Sequence, residues 1–210
     1  MAELDSVRAG VALRADLAGY LDPNWSLGRK IRQVVLTGEI WILCLLRWGT
    51  WLKRECPRPL AVPLRLLWRP WFDFVCTLLD THISEMGRIG PGLFISHHGG
   101  IWINANARLG AHCHVGAGVV IGAAGQPRES QLAPVLGDRV WIGPHAVITG
   151  RVRVGDDCVI GSNTLVVADV PDKGVVIGVP GHVMSRTGSA HLIPSSPSSS
   201  IGTAQDASPA

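Results

Sequence analysis

Every sixth residue from Leu136 to Val166 is a branched aliphatic: Leu136, Ile142, Ile148, Val154, Ile160 and Val166. Four positions after each comes a small or β-branched residue, in the order Val140, Ala146, Val152, Cys158, Thr164 and Val170. A helix needs apolar residues every 3.6 positions and a half-buried strand every second one, so neither accounts for a strict six. Six residues do make one short strand and one tight corner. The aliphatic and the small residue point inward, and the glycines of Leu136-Gly137, Ile142-Gly143, Val154-Gly155 and Ile160-Gly161 ease the turn. Such a chain buries its apolar face only by stacking coil on coil, which is a parallel β-helix.

The ladder extends upstream through Ile103, Leu109, Val115 and Ile121, with Ala107, Cys113 and Val119 in the second inward slot. Before these come Ile83, Ile89, Ile95 and Ile101. The phase slips by two between Ile101 and Ile103, and the pattern breaks over 123–135. With three faces per coil, residues 83–170 hold about five coils of roughly eighteen residues, a prism about 20–25 Å tall. Burying one aliphatic contributes roughly 1.5–3 kcal/mol, so a single coil does not offset its ordering entropy.

The expected class is α+β, with a helical N-terminal domain at 1–80, the β-helix at 81–184 and a disordered tail at 185–210. Residues 1–22 carry Val7, Val11, Leu13, Leu17 and Leu21, with Ser6 as the expected cap. A second helical region covers 27–56. Its apolar run, Ile40 to Leu46, falls far short of the roughly 20 residues that cross a bilayer. Pro57, Pro59 and Pro63 are expected to break the helix before an apolar segment at 64–79. Six of the eight tryptophans precede residue 80 and alternate with arginines between 47 and 69. That pattern suits either peripheral contact with an anionic membrane or packing against the β-helix or a neighbouring subunit. The Ser/Pro-rich end is too poor in apolar residues to order itself.

The N-terminus, Met1-Ala2-Glu3-Leu4-Asp5, lacks the basic and apolar regions of a secretory leader. Five scattered cysteines without a CxxC predict neither a disulfide framework nor a zinc ribbon, and point to a reducing cytoplasm. A net charge of +3 is too small to predict nucleic acid as a partner. Five of eight histidines fall within 82–114, and inward slots are already aliphatic, so these imidazoles lie at corners or on outer faces. An imidazole on a rigid face can serve as a base near neutral pH. His97 and His98 precede Gly99-Gly100, whose bare backbone admits close approach. The interruption at 123–135 is the largest break in the ladder, and long loops on rigid scaffolds often bind ligands.

Three stretches carry a resemblance: Gly90 to Ile101, including Ile95-Ser96-His97-His98-Gly99-Gly100-Ile101; Val135 to Gly143; and Asp169-Val170-Pro171 with Gly178-Val179-Pro180. They resemble the serine acetyltransferases, within the left-handed β-helix acyltransferases, over roughly 80–184. The resemblance implies the left hand of the coil, acetyl-CoA as donor, no metal, and a homotrimer or dimer of trimers. It also implies a cytoplasmic enzyme in which His97 takes the proton of the acceptor hydroxyl as it attacks the thioester. Gly143, Pro144, Gly161 and Ser162 match the small residues that line the acetyl-CoA groove between two β-helices. Fifteen residues before the catalytic histidine the family carries a carboxylate; that position is His82 here, with Asp80 close by to orient the base. The acceptor-binding positions are Ser96 and His98, with Leu132 and Ala133 where the family has an Arg-His pair. Lacking those charges, the site is expected to favour a saccharide hydroxyl over free serine. Two rival readings are a zinc lyase built on His112, His114 and His145 or His97, and a non-catalytic trimerising scaffold.

Overall fold

The computed structural model describes residues 7–84, 88–123 and 133–193. Four helices come first: α1 (Ala9–Ala18), α2 (Leu27–Leu36), α3 (Gly38–Arg54) and α4 (Arg58–Leu78). α1 starts after Arg8, and Ser6 lies outside the described residues. The region 27–56 is two helices, because the chain turns by 84° at Thr37. After that turn Ile40, Ile42, Leu43 and Leu46 are buried inside the protein.

The prolines act as expected only in part: the helix is broken between Arg54 and Arg58, but not at Pro63. Pro57 caps α4, and Pro59 lies in its first turn, where a missing N–H has no helical partner to lose. Pro63 and Pro70 sit inside the helix. Their lost hydrogen bonds are offset by the buried face of Ala61, Trp68, Phe72 and Val75. The Trp68 ring covers Gly49 of α3, where a Cβ would collide with the indole, and its Nε1 donates to Leu45 O at 3.0 Å.

Short strands then wind a three-sided prism. The first coil holds β1 (Thr81–Ile83), β2 (Arg88–Ile89) and β3 (Phe94–Ile95), and the second β4 (Ile101–Ile103), β5 (Arg108–Leu109) and β6 (His114–Val115). The third holds β7 (Val120–Gly122), β8 (Val135–Leu136) and β9 (Trp141–Ile142), and the fourth β10 (Val147–Thr149), β11 (Arg153–Val154) and β12 (Val159–Ile160). Above them lie β13 (Leu165–Val166) and β14 (Val175–Ile177), joined on the remaining face by a single parallel bridge between Val154 and Val170. Four coils are therefore complete and a fifth is partial. The first face is β1-β4-β7-β10-β13, the second β2-β5-β8-β11 and the third β3-β6-β9-β12-β14, all parallel. The inward slots are filled as the hexads require, with Ile142, Ile148, Ile160, Val140, Ala146 and Cys158 fully buried.

A stack of coils leaves unpaired backbone groups at each end. At the first coil the helices supply the partners. Arg47 of α3 donates through Nη1 to Ile89 O (2.9 Å) and through Nη2 to Gly90 O (2.6 Å). Asp16 of α1 accepts the Leu93 N–H at 2.9 Å, and the Tyr20 hydroxyl both accepts the Ile95 N–H and donates to Ile95 O. Asp16 and Arg47 are themselves paired, at 2.7 and 3.1 Å, and both are buried. Burial pushes the Asp16 carboxyl up, and Arg47 and the Leu93 and Gly92 N–H groups partly offset it.

At the far end β15 (His182–Ser185) turns antiparallel onto β14. Order continues past Ser185, where the composition predicts a disordered tail. Ser189 is fully buried, its N–H donating to Asp157 O and its hydroxyl to Arg139 O at 2.6 Å. These buried hydrogen bonds hold the segment without apolar side chains. Residues 194–210 of the predicted tail lie outside the described residues.

Candidate active site

The phase slip in the ladder marks the candidate site. Eight residues separate Ile95 from Ile103, against six in the equivalent steps Val115 to Ile121, Ile142 to Ile148 and Ile160 to Val166, whose ends are paired in register. The two additional residues fall at the corner that carries Ser96, His97, His98, Gly99 and Gly100. Gly99 (φ +106°) and Gly100 (φ +66°) adopt backbone conformations that other residues rarely hold, and they close the enlarged corner.

Three groups brace it. Glu39, in the first turn of α3, accepts the His98 N–H at 3.0 Å and lies 2.9 Å from His98 Nδ1, through the same oxygen. A carboxylate only accepts, so Nδ1 carries a proton. Burial alone would raise the Glu39 pKa. Its own N–H, the His98 ring and the His98 N–H together hold it below the ordinary glutamate value. Thr81 accepts the Gly99 N–H at 3.3 Å, and Asp80 Oδ2 accepts the Gly100 N–H at 2.9 Å. His97 is left exposed, and its ring makes no hydrogen bond among the described residues.

The same corner recurs in each coil. Gly118 donates to Gly99 O, His145 to Ala117 O and Asn163 to Pro144 O, at 2.8, 2.8 and 3.0 Å. His97, Gly143, Pro144, Gly161 and Ser162 consequently share one ridge of the prism. At one strand spacing per coil, the pair Gly143-Pro144 lies about 10 Å above His97 and the pair Gly161-Ser162 about 14 Å above it. The outer surfaces on either side of this ridge are mostly apolar or aromatic. Trp102, Val120, Val147 and Leu165 line the first face, and Phe94, His114, Trp141 and Val159 the third. The second face instead bears Arg88, Arg108 and Arg153.

Not every expected residue comes to the ridge. Neither His82 nor Asp80 hydrogen-bonds His97. Asp80 Oδ2 is committed to Gly100, and Oδ1 stands 3.9 Å from His82 Nε2. The His82 ring packs on Trp102, with centroids 4.1 Å apart, in a groove of about 420 Å³ between α4 and the first face. Ser96 lies on the ridge, its hydroxyl directed to Val115 O. Ala133 is buried at a different corner, beside β8, and Leu132 lies outside the described residues.

A family model described as bacterial transferase hexapeptide (six repeats) matches residues 133–168. A serine acetyltransferase of Mycobacterium tuberculosis is 37% identical over 123 residues, covering 59% of this chain and 53% of that protein. The chain thus spans about half the length of the curated relatives it matches. The crystal structure of serine acetyltransferase from Brucella abortus strain S19 superposes with a TM-score of 0.65 at 27% identity, covering 84% of this chain and 69% of that one. That of Neisseria gonorrhoeae serine acetyltransferase in complex with serine gives 0.67 at 26% identity, over 87% and 71%. The chain carries hexapeptide repeats and is similar to serine acetyltransferases.

Within this serine acetyltransferase-like frame, Glu39 is the site residue that sequence reasoning missed. It lies some sixty positions before the histidine corner, yet a signal existed: it is the only acid between Asp22 and Glu55. The histidines of the zinc reading are dispersed. His112 packs on Gly92 at one corner and His145 on Gly118 at another. Among the described residues no three His, Cys, Asp or Glu side chains are grouped to hold a metal.

His114 stacks between Phe94 (5.0 Å) and Trp141 (5.6 Å), with Nδ1 buried and unpartnered among the described residues. Burial, with a smaller contribution from His97, lowers its pKa to about 4 from 6.5. The folded chain therefore binds fewer protons here than the unfolded chain does. Its stabilising effect is complete above pH 6.5 and is lost as pH falls towards 4. Urea unfolding is expected to show about 3 kcal/mol of destabilisation from this group across that window. His114→Phe, which preserves the ring stack, should remove it; an unchanged pH slope in that variant would refute the assignment.

Proposed function

We propose that this chain transfers an acetyl group from acetyl-CoA to an acceptor hydroxyl, with His97 as general base. The observation that carries the reading is the enlarged, helix-braced corner. It presents one exposed imidazole on the same ridge as Gly143, Pro144, Gly161 and Ser162, in a chain similar to serine acetyltransferases along most of its length. His97 Nε2 or Nδ1 would take the hydroxyl proton as oxygen attacks the thioester carbonyl, and the thiolate of coenzyme A would leave with a proton, with no covalent enzyme intermediate. Such a base contributes about 10²–10⁴-fold. The backbone N–H groups of the ridge are candidates to stabilise the developing oxyanion.

A homotrimer, or a dimer of trimers, fits the outer surfaces. Closing three prisms so that the third face and the Val120, Val147 and Leu165 row of the first are covered would bury these apolar rows and leave Trp102 and the arginine-bearing face open. The His97 ridge would then lie at the seam, where a thioester can be held between two chains.

For the acceptor we favour a saccharide hydroxyl over free serine. Ser96 supplies no carboxylate to hold an ammonium group, and Ala133 is apolar and buried away from the ridge. The half-exposed Trp102 indole, backed by His82, offers a flat platform of the kind that stacks on a pyranose ring, in a groove bordered by Asn104 and Ser84. A thiol-release assay with acetyl-CoA, run against serine, homoserine, nucleotide sugars and oligosaccharides, tests both parts. Release with a sugar acceptor is the expected result. Preference for serine would overturn the acceptor class, and no release with any hydroxyl would overturn the reaction.

A further inference from the structure

Two helices carry apolar stripes that nothing among the described residues covers. No residue of α2 is buried, and Leu27, Ile31 and Val35 recur on one side of it at four-residue spacing, each more than half exposed. Arg29, Lys30 and Arg32 occupy the rest of its circumference. α4 is apolar on two sides. Trp68, Phe72 and Val75 pack into the protein, whereas Leu60, Leu67, Trp71, Phe74 and Leu78 form a second stripe at helical spacing, again each more than half exposed. Trp71 and Phe74 stack on one another at 5.6 Å, and Trp41 and Trp48 are exposed on α3.

Charge is concentrated in the same segment. Residues 27–71 hold nine Lys and Arg against two acids, Glu39 and Glu55, while the whole chain is only +3. The remainder is therefore net acidic. Of those charges Arg47 and Glu39 are buried in the contacts that brace the first coil, and the others lie at the surface.

From this coincidence of apolar stripes and positive charge we infer that α2 and α4 dock the protein on an anionic lipid bilayer, lying in the plane of its surface. A helix with Leu and Ile on one side and Arg and Lys on the other inserts its apolar side at the headgroup boundary, and the cations meet the lipid phosphates. Exposed Trp and Phe suit that boundary. A two-fold contact between copies fits less well, because it would set a strongly cationic surface against its own image. Spanning is excluded for each helix alone: none of those described is long and apolar enough. The bent α2–α3 pair passes the same length and composition test, but Ile40, Ile42, Leu43, Leu45, Leu46 and Leu52 of α3 are buried in protein and unavailable to lipid.

Flotation of the full chain with vesicles tests the inference independently of the acyl-transfer reading. Retention is expected on phosphatidylcholine vesicles containing about a third phosphatidylglycerol, with little on phosphatidylcholine alone, and salt should release the protein. Reversing Arg29, Lys30 and Arg32 to Glu should weaken retention by about a hundredfold. Ile31→Glu with Val35→Glu, in a helix with no buried residue, should weaken it at least about tenfold without lowering the melting temperature. Absence of binding, or equal binding to neutral and anionic vesicles, would overturn the inference. So would a Leu67→Glu, Trp71→Glu variant that halves the molar mass by light scattering yet floats like the parent, since the stripe would then be a contact between copies.

Discussion

His97→Ala is expected to lower acetyl-CoA turnover by at least about a hundredfold while the melting temperature barely moves. The ring is exposed and hydrogen-bonds nothing among the described residues, so the fold loses little when it is removed. Glu39→Ala should separate from it. Loss of Glu39 releases His98 and loosens the corner, which should lower turnover by about tenfold through misplacement of His97. The pH dependence of kcat/KM should survive in Glu39→Ala, because the titrating base is still present, and vanish in His97→Ala. Equal losses of stability and activity in His97→Ala would make this residue structural and revive the scaffold reading. A pH profile abolished by His98→Ala and retained in His97→Ala would move the base one residue along the corner.

Arg47→Ala is expected to destabilise the protein by about 3–5 kcal/mol, a fall of roughly 10 °C in melting temperature. The guanidinium makes four hydrogen bonds, two to Asp16 and two to Ile89 O and Gly90 O. Removing it strands a buried carboxylate and reopens the edge of the first coil in one step. Exchanging both partners, as in Asp16→Leu with Arg47→Met, should recover a large part of the loss, because no charge is then left unpaired. Denaturant unfolding of the two single variants and the double variant measures this. A single-variant cost below about 1 kcal/mol would show that the pair is dispensable to the junction.

The two predictions concern opposite ends of one arrangement. α1 and the turn after it, α3 and the turn after α4 supply Asp16, Tyr20, Arg47, Glu39 and Asp80 to the backbone of the first coil between Ile89 and Gly100. Terminal repeats of a solenoid need a cap. Here the cap also sets the shape of the histidine corner, so the helical region does more than precede the β-helix.

Much of this was legible in the residues. A six-residue period leaves few alternatives, because each hexad must place one aliphatic and one small residue inward, and Ile142, Cys158 and Ile160 are buried as that pattern demands. Gly143 and Gly161, eighteen residues apart, share a corner by that count alone, whereas His97 reaches the same ridge only through the strand pairing, because the ladder slips by two after Ile101 and breaks over 123–135. Proline was misleading in α4, where local propensity yields to the packing of Trp68 and Phe72.

What the one-dimensional pattern determined is everything that repeats, namely the coil, its core and the spacing of its corners, because these depend on contacts between neighbouring hexads of similar sequence. What only the tertiary structure decided is everything that happens once. Glu39 meets His98 across fifty-nine positions, Arg47 meets Gly90 across forty-three, and the two-residue slip in the ladder becomes the corner that lifts His97 outward. Such partners are selected by the unpaired backbone groups and buried charges of one open edge, and those come into existence only when the helices and the first coil are already in place.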